Sequence, residues 1–587
     1  MTILPATDRA RALVESLPLA DRIGLLFHPI VMLRPGQPLD EPSPLGPSLR
    51  ELIVDRGIRF FCLGPIPSPA ETAELTDQLQ ELARREGNGL PLMFSTDPRH
   101  SFVQNDGAAH AADGVSQWPE PLGLGAIGDA EEVRRFGLIV RDDYRAMGIR
   151  MALHPQVDLT TEPRWARQAQ SFGTSPGETS RLLLAFLEGL QGEDLASGVA
   201  AVVKHFPGGG AQQDGEDPHF PYGREQVYPA GRFDDHLEPF RAAIDAGAAA
   251  IMPYYGMPVG LTRGGRAVPE VGFGYNRDIV TGLLREELGY DGMVLSDFGL
   301  VTDAEVFGKP FPARAWGVEH LSVGERFAAL LDAGVDQFGG EHATDAVLTL
   351  ARSGAVSEEA ITVAASRVAA VMLRAGLLDE PAAQRPDALA LPRPADVAAG
   401  LRAQSRAVTV LKNASRGGTP VLPRRGPVRV HLDGLSATAL PAGWTVVPPE
   451  DAELAIVRRA APFEARNDYF LEAGMQQGSL EFSSDDVERI ASLAARVPTV
   501  VAVTLTRPAI LTPLEPHATA LVGDFGASDG ALLAALTGAV PPEGRLPFEL
   551  PRSAAAVAAS APDAGADTAD PLYPIGHGLD ISAGDAA

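Results

Sequence analysis

Over the first 377 residues of this 587-residue chain one pattern recurs: a short apolar stretch ends in a polar or turn residue, and an amphipathic helical run follows. The apolar stretches fall at 58–63, 91–95, 150–153, 199–203, 248–252, 293–295 and 335–338. Helical runs lie between them, at 70–85, 129–147, 177–192, 234–246, 275–288 and 323–333. Strands that alternate with helices over so long a distance predict an α/β domain built on a parallel sheet. Their number and the length of the segment favour a closed (β/α)8 TIM-like barrel over an open doubly wound sheet.

The pattern changes after residue 377. Residues 378–400 are rich in proline and read as a linker. Strands are expected at 428–432, 444–447, 454–457, 500–505 and 520–522, with helical runs at 485–496 and 529–537. The predicted organisation is a barrel over 1–377, a linker over 378–400 and a smaller α/β sandwich domain over 401–587. The chain is too long for a single hydrophobic core in any case.

Charge excludes some partners. A formal net charge of −27 and a pI near 4.8 argue against nucleic acid, whose phosphates need a basic surface. The same charge disfavours an anionic membrane surface. The longest uncharged run, 246–262, is broken by Pro253, Pro258 and glycines, so no membrane span is expected. Asp8, Arg9, Arg11, Glu15, Asp21 and Arg22 interrupt every signal-type apolar core near the N-terminus, which predicts a cytoplasmic protein. The single cysteine, Cys62, allows no intrachain disulfide and no multi-cysteine metal site. Within its apolar run it reads as a small buried hydrophobe. Gly208-Gly209-Gly210 lacks the spacing of a phosphate-binding turn. No metal or cofactor is expected. The assembly is open, with a homodimer as one option.

The ends of the apolar stretches carry the chemistry. They bear Asp97 with Arg99 and His100, then His154, Lys204-His205, Tyr254-Tyr255 and Asp297. In a barrel all C-terminal strand ends meet on one face, so these side chains would ring one pocket. Asp297 closes the stretch Gly-Tyr-Asp-Gly-Met-Val-Leu-Ser-Asp-Phe-Gly, 289–299. A carboxylate there suits chemistry better than stability, although an isolated Asp more often caps a turn.

Several of these segments resemble glycoside hydrolase family 3, the β-glucosidase-like enzymes. They are Asp97-Pro98-Arg99-His100, Glu162-Pro163-Arg164-Trp165-Ala166-Arg167, Lys204-His205-Phe206-Pro207-Gly208-Gly209-Gly210 and Val294-Leu295-Ser296-Asp297-Phe298. Near the end, 542–548 and 571–579 resemble the second domain of that family. The chain departs from the pattern at Ala166, Gln170 and Thr174-Ser175. The resemblance implies an exo-acting retaining β-glycosidase, with a β-glucoside or gluco-oligosaccharide as substrate and Asp297 as nucleophile. Retention requires a second, proton-donating group about 5–5.5 Å from the nucleophile. Glu464, on a loop of the second domain, is the implied acid/base, with Glu472 in reserve. Asp97, Arg167, Lys204, His205, Tyr255 and Phe298 are the implied sugar-binding residues. One branch of the family, the β-N-acetylhexosaminidases, uses an Asp-x-His dyad instead, and Asp217-Pro218-His219 resembles it. A family member using His219 in that way, hexosaminidase or phosphorylase-like, is therefore the alternative. A non-catalytic sugar-binding protein on the same scaffold is the third reading.

Overall fold

A computed structural model describes residues 6–102, 113–379, 385–416 and 418–581. Residues 380–384 of the expected linker lie outside them.

The apolar stretches are parallel strands: Phe60–Leu63, Met93–Thr96, Ile149–Ala152, Ala200–Phe206, Ala250–Pro253, Met293–Val294 and Phe338–Gly339. Strands buried on both faces need no polar alternation, which is why they read as unbroken apolar runs. The strand that the pattern does not reveal is the first. It consists of two short pieces, Phe27–His28 and Ile30–Val31, interrupted at Pro29.

Pairing runs round a complete ring. From Ile30–Val31 each strand pairs in parallel with the next, as far as Met293–Val294. Leu295 bridges Gln337, and Phe338–Gly339 pairs with Phe27–His28. The seam is sealed by side chains: His28 Nδ1 meets Gln337 Oε1 at 2.8 Å and its Nε2 meets Ser95 Oγ at 2.7 Å. The eight-stranded barrel is thus closed.

Helices cover the outside with ordinary local signals. Ser68 and Glu71 form a capping box that starts Pro69–Glu86, and Ser322 and Glu325 do the same for Val323–Ala333. Ala130–Ala146 and Pro176–Gln191 cross closely because Gly137 meets Gly189. A Cβ on Gly137 would stand 2.7 Å from the carbonyl oxygen of Phe186.

The helix Pro394–Ala407 begins inside the stretch expected as linker, so the connection is shorter than the composition suggested. Arg393 fixes its start by pairing with Asp396 and with buried Asp143 of the barrel. Beyond it a six-stranded sheet runs Thr409–Asn413, Ala520–Asp524, Thr499–Thr504, Leu454–Ala460, Val428–Asp433, Trp444–Val446 in spatial order. The first pair is antiparallel and the rest are parallel. Leu122 and Ala126 of the barrel helix Pro121–Ile127 pack into the core on one face of this sheet. No helix among the described residues is long and apolar enough to cross a membrane.

Candidate active site

A cavity of about 180 Å³ opens where the barrel strands end. Asp97, Arg167, Lys204, His205, His219, Tyr255, Asp297 and Arg314 give it polar walls. Leu153, Met252, Phe298, Phe311, Phe470 and Leu471 are among its apolar lining. The last two belong to the second domain.

Lys204 and His205 are consecutive in one strand, yet both line the cavity. Regular strand alternation forbids that. The ladder explains it: Lys204 pairs with Met252 and Phe206 with Pro253, so His205 is an extra residue in a bulge. Bulges re-aim side chains in this way. Lys204 Nζ reaches Asp97 Oδ1 at 3.0 Å.

His205 is held from both sides. Its Nδ1 is 2.7 Å from Asp158 Oδ2, and an Arg167 guanidinium nitrogen is 2.9 Å from its Nε2. A guanidinium only donates, so Nε2 accepts and the proton sits on Nδ1, toward Asp158. Burial, reinforced by Arg167 and Lys204, lowers His205 well below the usual histidine range and keeps it neutral. Burial also raises Asp158 to about 7, against the N–H groups of Gly209 and His205 that favour its anion.

Asp297 presents two unlike oxygens. Its Oδ1 accepts from the Phe298 N–H at 2.8 Å. Its Oδ2 is buried without a hydrogen bond, 3.7 Å from His205 Nε2. The Tyr255 hydroxyl braces the same turn, donating to the Phe298 carbonyl at 2.8 Å and accepting from its N–H at 3.1 Å. One anchored oxygen and one free oxygen is the arrangement a carboxylate nucleophile needs.

The expected proton donors fall in different places. His219 lines the cavity, 4.6 Å from Tyr255 between ring centroids. Its Nδ1 is 2.6 Å from Asp217 Oδ1, and Asp217 Oδ2 accepts from the Trp165 indole at 3.0 Å. Burial acts to raise Asp217, but His219 and Arg167 outweigh it and hold the carboxyl below its usual range. Burial lowers His219 despite Asp217.

Glu464 does not line the cavity. It is half exposed, accepts from the Ser479 N–H at 3.1 Å and pairs with Arg466 at 2.9 Å. Arg466 lowers its pKa, the opposite of what a standing proton donor requires. The expected pairing of Glu464 with Asp297 across the pocket is thus absent from this structure, because Arg466 and Ser479 draw the carboxylate away. Glu472 is buried but committed, accepting from the Tyr222 hydroxyl at 2.6 Å and from the Tyr469 N–H at 3.1 Å.

Two site residues went unrecognised in the sequence. Asp158 carried a signal, a lone carboxylate between Val157 and Leu159. Arg314 carried none, since it comes from the irregular segment 302–322. Its guanidinium lies 3.7 Å from the Phe311 ring centre, with Nε and one terminal nitrogen buried and unpartnered. Among the described residues, no group of three or more His, Cys, Asp or Glu side chains is arranged to hold a metal ion.

Residues 50–371 match the glycosyl hydrolase family 3 N terminal domain, and residues 432–581 match the glycosyl hydrolase family 3 C-terminal domain. The chain belongs to glycosyl hydrolase family 3. It is accordingly a glycoside hydrolase. It is 42% identical over 582 residues to beta-glucosidase C of Emericella nidulans, covering 98% of this chain and 92% of that one. It is 37% identical to a periplasmic beta-glucosidase/beta-xylosidase of Dickeya chrysanthemi, covering 98% of this chain and 90% of that protein. Among solved structures, an exo-1,3/1,4-beta-glucanase from a Pseudoalteromonas species superposes with a TM-score of 0.76 at 18% identity, covering 100% of this chain and 76% of that one. The likeness establishes the shared two-domain fold.

Proposed function

We propose that this family 3 hydrolase is an exo-acting retaining β-glucosidase that removes nonreducing-end glucose from β-glucosides or gluco-oligosaccharides. The observation that carries the reading is the free, buried Oδ2 of Asp297 in a cavity ringed by Asp97, Arg167, Lys204 and His205. Full-length relatives named β-glucosidase support glucose as the sugar. In this scheme Asp97 and Lys204 bind sugar hydroxyls through charge-assisted hydrogen bonds. Arg167 holds His205, and Phe298 offers an aromatic face to the sugar ring. Asp297 Oδ2 attacks the anomeric carbon, the aglycone leaves with a proton, and water then hydrolyses the glycosyl ester.

For the proton donor, position favours His219, which lines the cavity and is oriented by Asp217. Its pKa, like that of Glu464, is lowered, so the distinction rests on place and not on titration. Glu464 would first have to leave both Arg466 and the Ser479 N–H. A 2-deoxy-2-fluoro glucoside should label the peptide that carries Asp297; a label elsewhere, on an otherwise active enzyme, would overturn the assignment. Asp297→Ala should lower kcat by about three orders of magnitude or more. His219→Ala should lose cellobiose hydrolysis and keep that of dinitrophenyl glucoside, which needs no proton. If Glu464→Ala shows this split instead, the donor is Glu464.

The same dyad favours one second reading, a β-N-acetylhexosaminidase. A panel of nitrophenyl glycosides separates the two through the preferred sugar. The cytoplasm is the compartment proposed from the sequence, whereas the Dickeya relative is named periplasmic. Fractionation of the native host decides.

A further inference from the structure

At the mouth of the cavity stands a hairpin, Ala304–Val306 paired antiparallel with Lys309–Phe311. Its turn is Phe307-Gly308, with φ of 51° and 76°. Positive φ at both central positions is the geometry of a type I′ turn, where Asn-Gly is preferred. A bulky aromatic in the first of these positions is a backbone outlier. Phe307 is also 70% exposed, the greatest exposure of any aromatic side chain among the described residues. It therefore loses both backbone comfort and burial.

The surroundings indicate a compensating role. The Phe307 ring lies 6.1 Å from that of Phe470, which lies 5.2 Å edge-on from Phe311. Phe311, Phe470, Val306 and Leu471 line the cavity. The hairpin and the second-domain loop are joined by the Phe470 N–H, which donates to the Pro310 carbonyl at 3.0 Å, and by Lys309 Nζ, which donates to the Asn467 carbonyl. Of the polar groups of the cavity, Asp97, Lys204, His205 and Asp297 lie in or just after the barrel strands, and Arg167, His219 and Arg314 come from loops. Its outer wall here is aromatic and aliphatic apart from the Arg314 guanidinium, which lies against the Phe311 ring.

We propose that Phe307, Phe311 and Phe470 form an aglycone platform that makes this enzyme select β-glucosides with a flat apolar aglycone, such as a phenol, over gluco-oligosaccharides. The platform rests on the β-glucosidase reading and specifies the leaving-group side of that site. Phe307 is its outermost ring, carried by a turn whose backbone favours a smaller residue. Aromatic contact gains free energy with an aryl ring in offset or edge-on geometry.

The test compares kcat/KM for phenyl β-glucoside and cellobiose in the full-length enzyme, together with the inhibition constant of phenyl 1-thio-β-glucoside. Phe307→Asn suits the turn and removes the ring. It should leave Tm equal or higher, lower kcat/KM for phenyl glucoside about two- to tenfold more than for cellobiose, and weaken the thioglucoside by the same factor. The effect should lie in KM. Phe470→Ala should shift the same ratio in the same direction. Equal losses on both substrates, or an unchanged thioglucoside constant, overturn the platform. A wild-type enzyme that hydrolyses neither glucoside overturns the β-glucosidase reading itself, a different result from an unchanged ratio.

Discussion

Asp158 does not itself line the cavity, yet it sets the tautomer of a residue that does. Its carboxylate receives the Nδ1 proton of His205 and so turns the Nε2 lone pair toward Arg167. Replacing it with Asn keeps the size and loses the charge. Asp158→Asn should cost about ten- to a hundredfold in kcat/KM, in line with the roughly 1–3 kcal/mol that a buried polar group loses with its partner. Steady-state kinetics beside an unchanged circular-dichroism spectrum would check it. A second prediction concerns pH. Burial lowers His28 to about 4, while in the unfolded chain it titrates near 6.5. The unfolded state takes up the proton first, so this contribution to stability is whole above pH 6.5 and is lost as pH falls toward 4. The loss is about 3 kcal/mol. Asp158, raised to about 7, acts in the opposite direction. The readout is therefore the difference in Tm between wild type and His28→Gln over pH 7 to 4.5, with the variant losing less stability than wild type as pH falls. At this scale the strand-end residues were legible because a polar side chain closing an apolar run has few structural reasons to be there. Asp158 is hidden because it sits within a run, and the direction of the Glu464 side chain is set by partners such as Arg466, which spacing does not reveal.

The second-domain loop 462–479 is held as a unit by one buried cation. Arg507 donates to the carbonyls of Pro462 at 2.6 Å, Gly478 at 3.0 Å, Ser479 at 2.8 Å and Arg164 of the barrel at 2.7 Å. Arg466 adds a two-pronged contact to Glu216 across the domains, at 2.6 and 3.0 Å. Arg507→Met should destabilise the protein by about 3 kcal/mol, because it leaves several buried carbonyls unpaired. Arg466→Met removes a partly exposed pair and should cost about 1 kcal/mol or less. Thermal melts give both values, and limited proteolysis should cut within 462–479 in the first variant only. Among the elements, long amphipathic helices and apolar strands were read close to their observed ends. The first barrel strand was not, since two residues on either side of Pro29 make no periodic signal. The hairpin at 304–311 was equally silent, its strands being three residues each.

At the scale of the whole molecule the two domains complete one another. The barrel lends Leu122 and Ala126 to the core of the second domain, and the second domain lends Phe470 and Leu471 to the cavity of the barrel. A chain ending at residue 377 should therefore expose an apolar helix face and lack part of the pocket wall. Such a truncation should be recovered in the insoluble fraction and show no glucosidase activity after refolding, whereas a soluble active barrel would refute the mutual dependence. The class of architecture was legible because strand–helix alternation admits few solutions. The mutual dependence was not, since it rests on contacts between segments far apart in the chain. The seam of the barrel carries a consequence in time. The Gln337 side chain donates to the carbonyl of Leu25, 312 positions earlier. Nascent chains grow from the N-terminus, so the first strand waits, its edge unpaired, through most of the synthesis of the barrel. The ring closes only when its last strand emerges, and the pocket wall comes later still. During that interval the growing polypeptide holds most of its sugar-binding residues but no finished site, and it is then that a chaperone has the most to shield.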